Sequence, residues 1–329
     1  MATLVNRRRF LATVAAAATA GPSLATIALE QKTPPARGTS PFQVSVFTDE
    51  MMQDFARACE IVSKEFGLSY VELRGMWDKN IVDLNERQIN ETRDILRQFD
   101  LGVTCISGPL YKVDWPGAPR SKHSPPKPQF NATADWGKQD AVLDREIELA
   151  GIFNTKHIRC FDFWRLDDPA PYRAAMDEKL MAAAEKAARS GLTLVMENEH
   201  ACNTATAKEA VRTLAAVNHP AFKLIWDPGN SAYAGERAYP DGYKLLPKDR
   251  IGHVHCKNAK KKADGSLVFT SMAGGVIDYE GQFAALKQDG YTGPVVLETH
   301  WKLDGSAEKG TRQCMTEMKE QLRKAGALS

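Results

Sequence analysis

The sequence lacks several features that would each point to a particular class of protein. Its 329 residues carry a formal net charge of +2, so no excess of charge favours nucleic acid or an anionic membrane as a partner. The 6 cysteines show none of the close spacing typical of zinc knots or disulfide frameworks, and we expect buried thiols without a ligand role. No glycine-rich phosphate loop follows the first predicted strand, which disfavours a doubly wound nucleotide-binding sheet.

The N-terminal segment is typical of a targeting sequence. Arg7-Arg8-Arg9-Phe10-Leu11 precedes a short run rich in alanine, and the segment resembles a twin-arginine export signal. The run is too short to predict a membrane span. We expect a signal peptide over residues 1–30 that engages the twin-arginine export machinery, a linker over residues 31–42, and a periplasmic or otherwise exported domain over residues 43–329 without a stable membrane anchor. A basic tail on a cytoplasmic protein is the alternative.

Short apolar runs alternate with amphipathic helical patterns along the rest of the chain. The predicted strands are residues 44–47, 70–73, 103–106, 157–160, 192–196, 223–226, 252–256 and 295–297. The predicted helices are residues 54–66, 86–99, 139–152, 176–190, 205–217, 279–289 and about 310–325. Eight strands that alternate with helices predict an α/β fold, a single-domain (β/α)8 TIM barrel.

Ionisable side chains lie at the ends of the last four predicted strands, at Glu197, Asp227, His255 and Glu298. Because the carboxyl ends of neighbouring barrel strands meet on one face, we expect these side chains to converge. A strand-end carboxylate alone is more often a loop cap or an ion-pair partner. Three converging carboxylates would repel one another without a cation, and oxygen donors with one imidazole favour Mn²⁺, Co²⁺ or Mg²⁺. The joint pattern therefore predicts a divalent metal site.

Several motifs resemble the xylose isomerase-like barrel superfamily over roughly residues 43–300. They are Val71-Glu72-Leu73-Arg74, Met196-Glu197-Asn198-Glu199, Trp226-Asp227-Pro228-Gly229-Asn230, His253-Val254-His255-Cys256-Lys257, Gly274-Gly275-Val276-Ile277-Asp278, and Gly290-Tyr291-Thr292-Gly293 followed by Glu298. The nearer branch is the sugar phosphate isomerase/epimerase group, which includes tagatose and psicose 3-epimerases and hydroxypyruvate isomerases. The resemblance implies one divalent metal held by Glu197, Asp227, His255 and Glu298. We expect Mn²⁺, with Co²⁺, Mg²⁺ or Zn²⁺ as alternatives.

The resemblance also implies an enzyme, a metal-dependent isomerase or epimerase of sugars or keto-sugars. Glu197 and Glu298 would be the catalytic pair: one removes a proton beside the substrate carbonyl, and the other returns it to a metal-bound enediolate. A lyase or dehydratase on the same scaffold is an alternative, as is a non-catalytic exported sugar-binding barrel. Export favours an unphosphorylated sugar or an oxidised glycoside as the substrate.

Six further residues are predicted to contact the substrate: Lys257, Glu72, Arg159, Trp164, Asn230 and His300. Lys257 either binds a hydroxyl or pairs with a carboxylate such as Glu298. Glu199 is the alternative ligand if strand five runs further, although the resemblance favours Glu197. Asn230 departs from the epimerase branch, which usually carries histidine at this position.

A long proline-rich loop over residues 108–138 follows the third predicted strand. It carries Tyr111, Trp115, Phe130 and Trp136. A loop that follows a barrel strand lies on the C-terminal face, where barrel active sites are built. The aromatic side chains suit either a lid that stacks on a sugar ring or a surface contact, such as one in a homodimer.

Overall fold

The computed structural model describes residues 39–126, 129 and 135–329. The predicted signal peptide, most of the predicted linker and Phe130 lie outside the described residues. Eight strands form one sheet: β1 (Gln43–Val46), β2 (Tyr70–Leu73), β3 (Gly102–Ile106), β4 (His157–Cys160), β5 (Thr193–Glu197), β6 (Phe222–Trp226), β7 (Ile251–Cys256) and β8 (Pro294–Leu297).

The principal helices lie between these strands and after the last one. They are α1 (Phe55–Glu60), α2 (Glu86–Gln98), α3 (Gln139–Ile152), α4 (Arg173–Arg189), α5 (Ala207–Ala216), α6 (Pro228–Tyr233), α7 (Tyr279–Gln288) and α8 (Ala307–Lys324). Short helical turns occupy Ile61–Glu65, Ile81–Asp83, Trp136–Lys138, Ala238–Gly242, Tyr243–Leu245 and Lys248–Arg250.

The sheet is a nearly closed parallel barrel. Its strand order is β1-β8-β7-β6-β5-β4-β3-β2, so each strand except at the seam pairs with its neighbours in the chain. At the seam, β1 and β2 are joined by one parallel bridge between Phe47 and Glu72. The predicted single-domain TIM barrel is therefore confirmed.

Side-chain caps set the start of several helices. Asn85 and Gln88 form a reciprocal capping box at α2, and Thr206 and Glu209 form another at α5. Each box satisfies backbone N–H groups that the first helical turn leaves without partners. Ser306 caps α8, so this helix begins three residues earlier than its hydrophobic pattern alone predicts.

Several segments differ from the sequence prediction, among them α6 and the short antiparallel hairpin of Gly75–Met76 with Lys79–Asn80, which were not predicted. The first predicted helix, residues 54–66, divides into α1 and the wider turn Ile61–Glu65. The segment after Lys257 forms an antiparallel hairpin, Asn258–Lys261 with Leu267–Thr270. Its lysine-rich first strand has little apolar alternation, so the period-two pattern that reveals a strand is missing.

All 6 cysteines are free and buried, which confirms the expectation of thiols packed in the core. The interior of the barrel itself is partly polar. Glu72, Arg159, His253 and His255 have at most 1% of their surface exposed. Ionisable groups so deep in a fold require partners. Among the described residues, no helix is both long and apolar enough to cross a membrane.

Candidate metal centre

The four predicted ligands converge at the carboxyl ends of the last four strands. Glu197, Asp227, His255 and Glu298 each offer one ligand atom, and these atoms all lie within 4.8 Å of one another. All four side chains are buried. We call this group the four-residue cluster. Their role as ligands stays a prediction, but their convergence is a property of the fold.

Asp227 divides its two oxygens between a helix and the cluster. It follows β6 directly and caps α6, because its Oδ1 accepts a hydrogen bond from the Asn230 backbone N–H at 2.9 Å. The backbone N–H of Asp227 donates to Asn198 Oδ1 at 2.8 Å. These two bonds fix the carboxylate, so Oδ2 is directed to the cluster, where the Lys257 ammonium lies 2.7 Å away.

Each glutamate of the cluster is anchored by a buried arginine from the other half of the barrel. Arg159 Nη1 lies 2.9 Å from Glu197 Oε2. Arg74 Nη1 lies 3.0 Å from Glu298 Oε1. The second oxygen of each glutamate faces His255, whose Nδ1 is 3.3 Å from Glu197 Oε1 and 3.8 Å from Glu298 Oε2. One oxygen of each carboxylate is thus committed to structure and the other faces the cluster.

The orientation of His255 is set from behind by Glu72. The Nε2 atom of His255 lies 3.0 Å from Glu72 Oε1, and Nε2 of His253 lies 2.6 Å from Glu72 Oε2. Ser107 and Thr104 also donate to this carboxylate. With Nε2 engaged, the Nδ1 atom of His255 faces the cluster. A carboxylate behind a ligand histidine is a common means of fixing the ring.

Two residues predicted to contact the substrate have other site residues as their partners in this structure. Glu72 is fully buried behind His255, and its oxygens are taken up by the partners just described. Arg159 is 1% exposed, and besides Glu197 it donates to the carbonyl oxygens of Ser107 and Gly108. Both side chains therefore hold other site residues in place, and their predicted substrate contacts stay predictions.

Lys257 lies inside the carboxylate cluster. Its Nζ is 2.5 Å from Glu298 Oε2, besides its contact with Asp227, and 3.9 Å from Glu197 Oε1. Burial opposes the charged form of the lysine, but Asp227 and Glu298 outweigh it and raise the pKa of Lys257 well above its ordinary value. The pairing alternative for this residue is thus the geometry observed.

The pKa shifts in the cluster show that its carboxylates favour the positively charged form of neighbouring groups. Burial would lower the pKa of His255, but Glu197 and Glu72 outweigh it and raise the pKa to about 10. Burial raises the pKa of Asp227 to about 6 against the lowering effect of Lys257, and both glutamates contribute to the increase. Three carboxylates in one buried place thus stabilise every nearby cation.

The donor set fits a divalent metal. Three carboxylate oxygens and one imidazole nitrogen lie within a space that one ion spans, and this combination suits Mn²⁺, Mg²⁺ or a related ion. The Lys257 ammonium contacts two of these oxygens in this structure, so a bound ion would take its place beside them. The Nδ1 atom of His255 is buried and makes no hydrogen bond. A buried imidazole nitrogen that faces three carboxylates is arranged as a ligand is.

Three other predicted residues lie around the cluster. Asn230 Nδ2 donates to Glu197 Oε1 at 3.2 Å. His300 Nε2 is 3.2 Å from Glu298 Oε1, and its side chain is 30% exposed at the barrel mouth. Trp164 is buried beside Phe161. The predicted substrate contacts of these three residues stay predictions.

A second set of charged groups was not anticipated from the sequence. Lys112 Nζ lies 3.1 Å from Glu199 Oε2, and His200 Nδ1 lies 2.7 Å from Glu199 Oε1. Glu199 is thus a partner of these cations and not a member of the four-residue cluster. Arg74 carried a sequence signal, since it lies two residues after Glu72 and so shares its strand face. Lys112 lies in a loop without periodicity and carried none.

The long loop after β3 uses its described aromatic side chains for internal packing. Tyr111 is 1% exposed. The rings of Trp115 and Trp136 lie 4.8 Å and 5.8 Å from that of Phe163, and 5.0 Å from each other. The tryptophans therefore pack on the loop after β4, which explains their presence without a lid.

The opposite end of the barrel also holds a cavity, lined by His157, Thr193, Lys223 and Gly252 among others. It contains none of the predicted site residues. Parallel barrels carry their chemistry at the carboxyl ends of the strands, which is the end where the four-residue cluster lies.

Solved structures with the same fold include proteins with metals and sugars. A xylose isomerase-like TIM barrel protein from Mycobacterium smegmatis in complex with magnesium has a TM-score of 0.62 at 18% identity, covering 86% of this chain and 98% of that chain. D-Psicose 3-epimerase with D-tagatose, from Clostridium cellulolyticum H10, has a TM-score of 0.58 at 18% identity, covering 87% and 96%. At this identity the similarity shows the fold alone.

Curated relatives match part of the chain. L-Ribulose-5-phosphate 3-epimerase UlaE of Escherichia coli (strain K12) is 27% identical over 154 residues, which are 47% of this chain and 49% of the relative. The chain thus spans about half the length of the curated relatives it matches. The sequence pattern of the xylose isomerase-like TIM barrel family matches residues 62–321. The chain belongs to this family, and sugar epimerases are among its relatives.

Proposed function

We propose that the protein is a divalent-metal-dependent isomerase or epimerase of sugars or keto-sugars. The observation that carries the proposal is the matched environment of Glu197 and Glu298. Each has one oxygen fixed by a buried arginine and the other directed to the same space. Two carboxylates held this way from different strands suit proton transfer at two faces of one carbon atom.

Glu197, Asp227, His255 and Glu298 would hold the ion. When bound, a divalent cation polarises a substrate carbonyl and makes the neighbouring C–H bond more acidic. We expect Mn²⁺, as the donor set of three carboxylates and one imidazole favours hard or borderline ions. The magnesium-bound relative supports a divalent metal but leaves its identity in this protein to measurement.

The protein's own residues then perform the proton transfer. One glutamate accepts the proton from carbon, while the bond electrons move into an enediolate. The other glutamate, which must enter the step protonated, gives its proton to the opposite face and is left as the carboxylate, which inverts the stereocentre. Delivery of the proton to the adjacent carbon exchanges aldose for ketose. Arg159 and Arg74 keep each glutamate aimed at the carbon, since their bonds restrict carboxylate rotation.

Solvent exchange tests this function directly. The purified protein loaded with Mn²⁺ is incubated in D₂O with D-tagatose, D-psicose or L-ribulose, and deuterium at carbon is followed by NMR. We expect exchange that Glu197→Gln and Glu298→Gln each abolish, because the amide cannot accept the proton. Glu91→Gln, which removes an exposed helical carboxylate, is the matched control and keeps the wild-type rate.

Exchange that persists in both glutamate variants would remove them from the mechanism. Exchange that continues unchanged after a chelator has stripped the metal would show that the ion has no role in the mechanism. If no free ketose exchanges, a phosphorylated panel including L-ribulose 5-phosphate tests whether the substrate resembles that of the curated relatives. We expect the unphosphorylated sugars to be preferred.

We also propose that residues 1–30 direct export through the twin-arginine pathway. The support is the Arg7-Arg8-Arg9-Phe10-Leu11 pattern. In a bacterial host with this pathway, the tagged full chain should fractionate with the periplasm, while Arg7→Lys with Arg8→Lys retains it in the cytoplasm. Arg9→Lys is the control and should leave export unchanged. Equal distribution of all three chains would contradict the proposal.

A further inference from the structure

Lys112, Glu199 and His200 form a charged group that has no role in the proposed proton transfer. The group nevertheless lies next to the four-residue cluster. The His200 ring lies at the barrel mouth, with 39% of its side chain exposed. Its Nδ1 is 2.7 Å from Glu199 Oε1 and 3.1 Å from Asn230 Oδ1. Asn230 in turn donates to Glu197 Oε1. His200 is therefore one side chain removed from a proposed catalytic glutamate.

The hydrogen-bond pattern leaves one ring nitrogen of His200 for another partner. Two acceptors converge on Nδ1, so Nδ1 carries hydrogen. Among the described residues, none forms a hydrogen bond with Nε2. A half-exposed histidine can satisfy its ring nitrogens with water. Two protein acceptors on Nδ1 therefore hold the His200 ring in one orientation, which packing alone does not require.

The charge of Glu199 does not explain His200 either. Glu199 already has a buried cationic partner in Lys112, whose Nζ lies 4.4 Å from the centre of the Phe161 ring. The carboxylate thus provides a fixed acceptor for the imidazole, as in other oriented histidines.

A row of rings marks the side of the mouth on which His200 lies. The ring of His200 is 5.3 Å from that of Tyr233, Tyr233 is 4.6 Å from Phe269, and Phe269 stacks on His300 at 4.7 Å. The row begins beside Asn230 and ends beside Glu298. The row therefore spans from the Glu197 side of the cluster to the Glu298 side, and such ring faces suit the apolar side of a sugar.

We propose that His200 is a substrate-contacting residue whose Nε2 hydrogen-bonds a hydroxyl group of the sugar, beyond the two oxygens next to the reacting carbon. The inference rests on the proposed function and adds a contact that selects the substrate. A hydroxyl both donates and accepts, so it matches Nε2 in the neutral and in the protonated ring. Lys112 and Glu199 act as positioning residues through His200.

Binding of D-tagatose, D-psicose and L-ribulose to the Mn²⁺-loaded protein, measured by calorimetry, tests the contact. We expect His200→Ala to weaken binding of the preferred ketose about tenfold, the loss typical of one hydrogen bond to a ligand. His200→Gln should stay within about threefold of wild type, since its amide reaches the Nε2 position. His219→Gln, on the turn before β6, is the control and should bind as wild type does.

Metal content and melting temperature separate contact from structure. Both should be unchanged in His200→Ala, and a deoxy-ketose that lacks the bound hydroxyl should bind wild type and His200→Ala equally. Wild-type affinity in His200→Ala would overturn the inference while leaving the proposed function standing. Loss of metal or of stability would overturn it by making His200 structural. Failure of wild type to bind or exchange any ketose would overturn both.

Discussion

The two halves of the barrel contribute different things to the site. β5, β6, β7 and β8 end in the four-residue cluster. β2 and β4 carry Glu72 and Arg159, and Arg74 follows β2; each contacts a member of the cluster through its far side. One half thus offers the atoms that converge, and the other half fixes their directions. β4 pairs directly with β5, so Arg159 reaches Glu197 from the neighbouring strand, whereas Glu72 reaches His255 from a more distant strand.

The largest expected effect is a loss of metal affinity when a residue of the four-residue cluster is replaced. Asp227→Asn removes one negative charge from the cluster while keeping the α6 cap oxygen. Metal affinity should fall by more than about 100-fold, beyond the loss that supporting residues cause. Metal content after dialysis measures it, with exposed Asp241→Asn as the control. A full metal complement in Asp227→Asn would show that the ion binds elsewhere.

Breaking an orienting residue should affect stability first. Arg159→Met leaves the buried Glu197 carboxylate with one cation fewer beside it, and the free energy of unfolding should fall by about 3 kcal/mol. Urea unfolding of the metal-free protein measures the change. The double variant Arg159→Met with Glu197→Gln should recover part of it, because the uncompensated charge is gone. Equal losses in the single and double variants would mean that packing, not charge, is responsible.

A milder change to the orienting half should alter metal affinity alone. Glu72→Gln keeps the shape of the side chain but removes the charge that stabilises the His255 and His253 bonds. We expect metal affinity to fall about 10- to 100-fold. Competition with a chelator measures it, and Glu91→Gln serves as the control. Unchanged affinity would limit Glu72 to packing.

The smallest expected effect is on thermal stability, and it concerns a buried carboxylate that is not part of the site. Glu146 on α3 is fully buried, and burial raises its pKa well above 4.5, against the effects of Arg159 and the Leu110 backbone. Above pH 4.5 the unfolded chain ionises while the folded chain stays protonated, so stability falls as pH rises. Glu146→Gln should raise the melting temperature by about 2 °C at pH 7.

That gain should disappear below about pH 4, where Glu146 is protonated in both states. Thermal unfolding at the two pH values measures it. Glu148→Gln, which alters an exposed residue of the same helix, is the control. An equal gain at both pH values would trace the effect to packing and would contradict the raised pKa.

Strand ends were the part of the site open to prediction. Glu197, Asp227, His255 and Glu298 each follow or close an apolar run, and parallel topology requires such positions to meet. The boundaries of β2 and β4 agree with the prediction, β1 and β5 are shifted by one residue at both ends, and the other four barrel strands begin one residue earlier than predicted. Hairpin Asn258–Lys261 with Leu267–Thr270 was missed because its pairing is stabilised across the turn, not by a pattern along one strand.

The roles of the supporting residues needed the fold. Glu72 and Arg159 were predicted only as substrate contacts. A charged residue on an inward strand face does not reveal which side chain lies opposite it, so their contacts with His255 and Glu197 could not be predicted. His200 and Lys112 were not anticipated, because Lys112 pairs with Glu199 and His200 contacts Asn230, each on a segment that follows a different barrel strand. Only the closed barrel brings such loops together.

The amino-acid sequence determined the barrel and the four side chains that meet at its mouth, because strand periodicity and parallel order are properties of local pattern. Tertiary structure alone decided which oxygen of each carboxylate faces the cluster, which arginine restrains it, and that Lys257 lies among the carboxylates. Those outcomes depend on distances between residues far apart in the chain, and no local pattern encodes such distances.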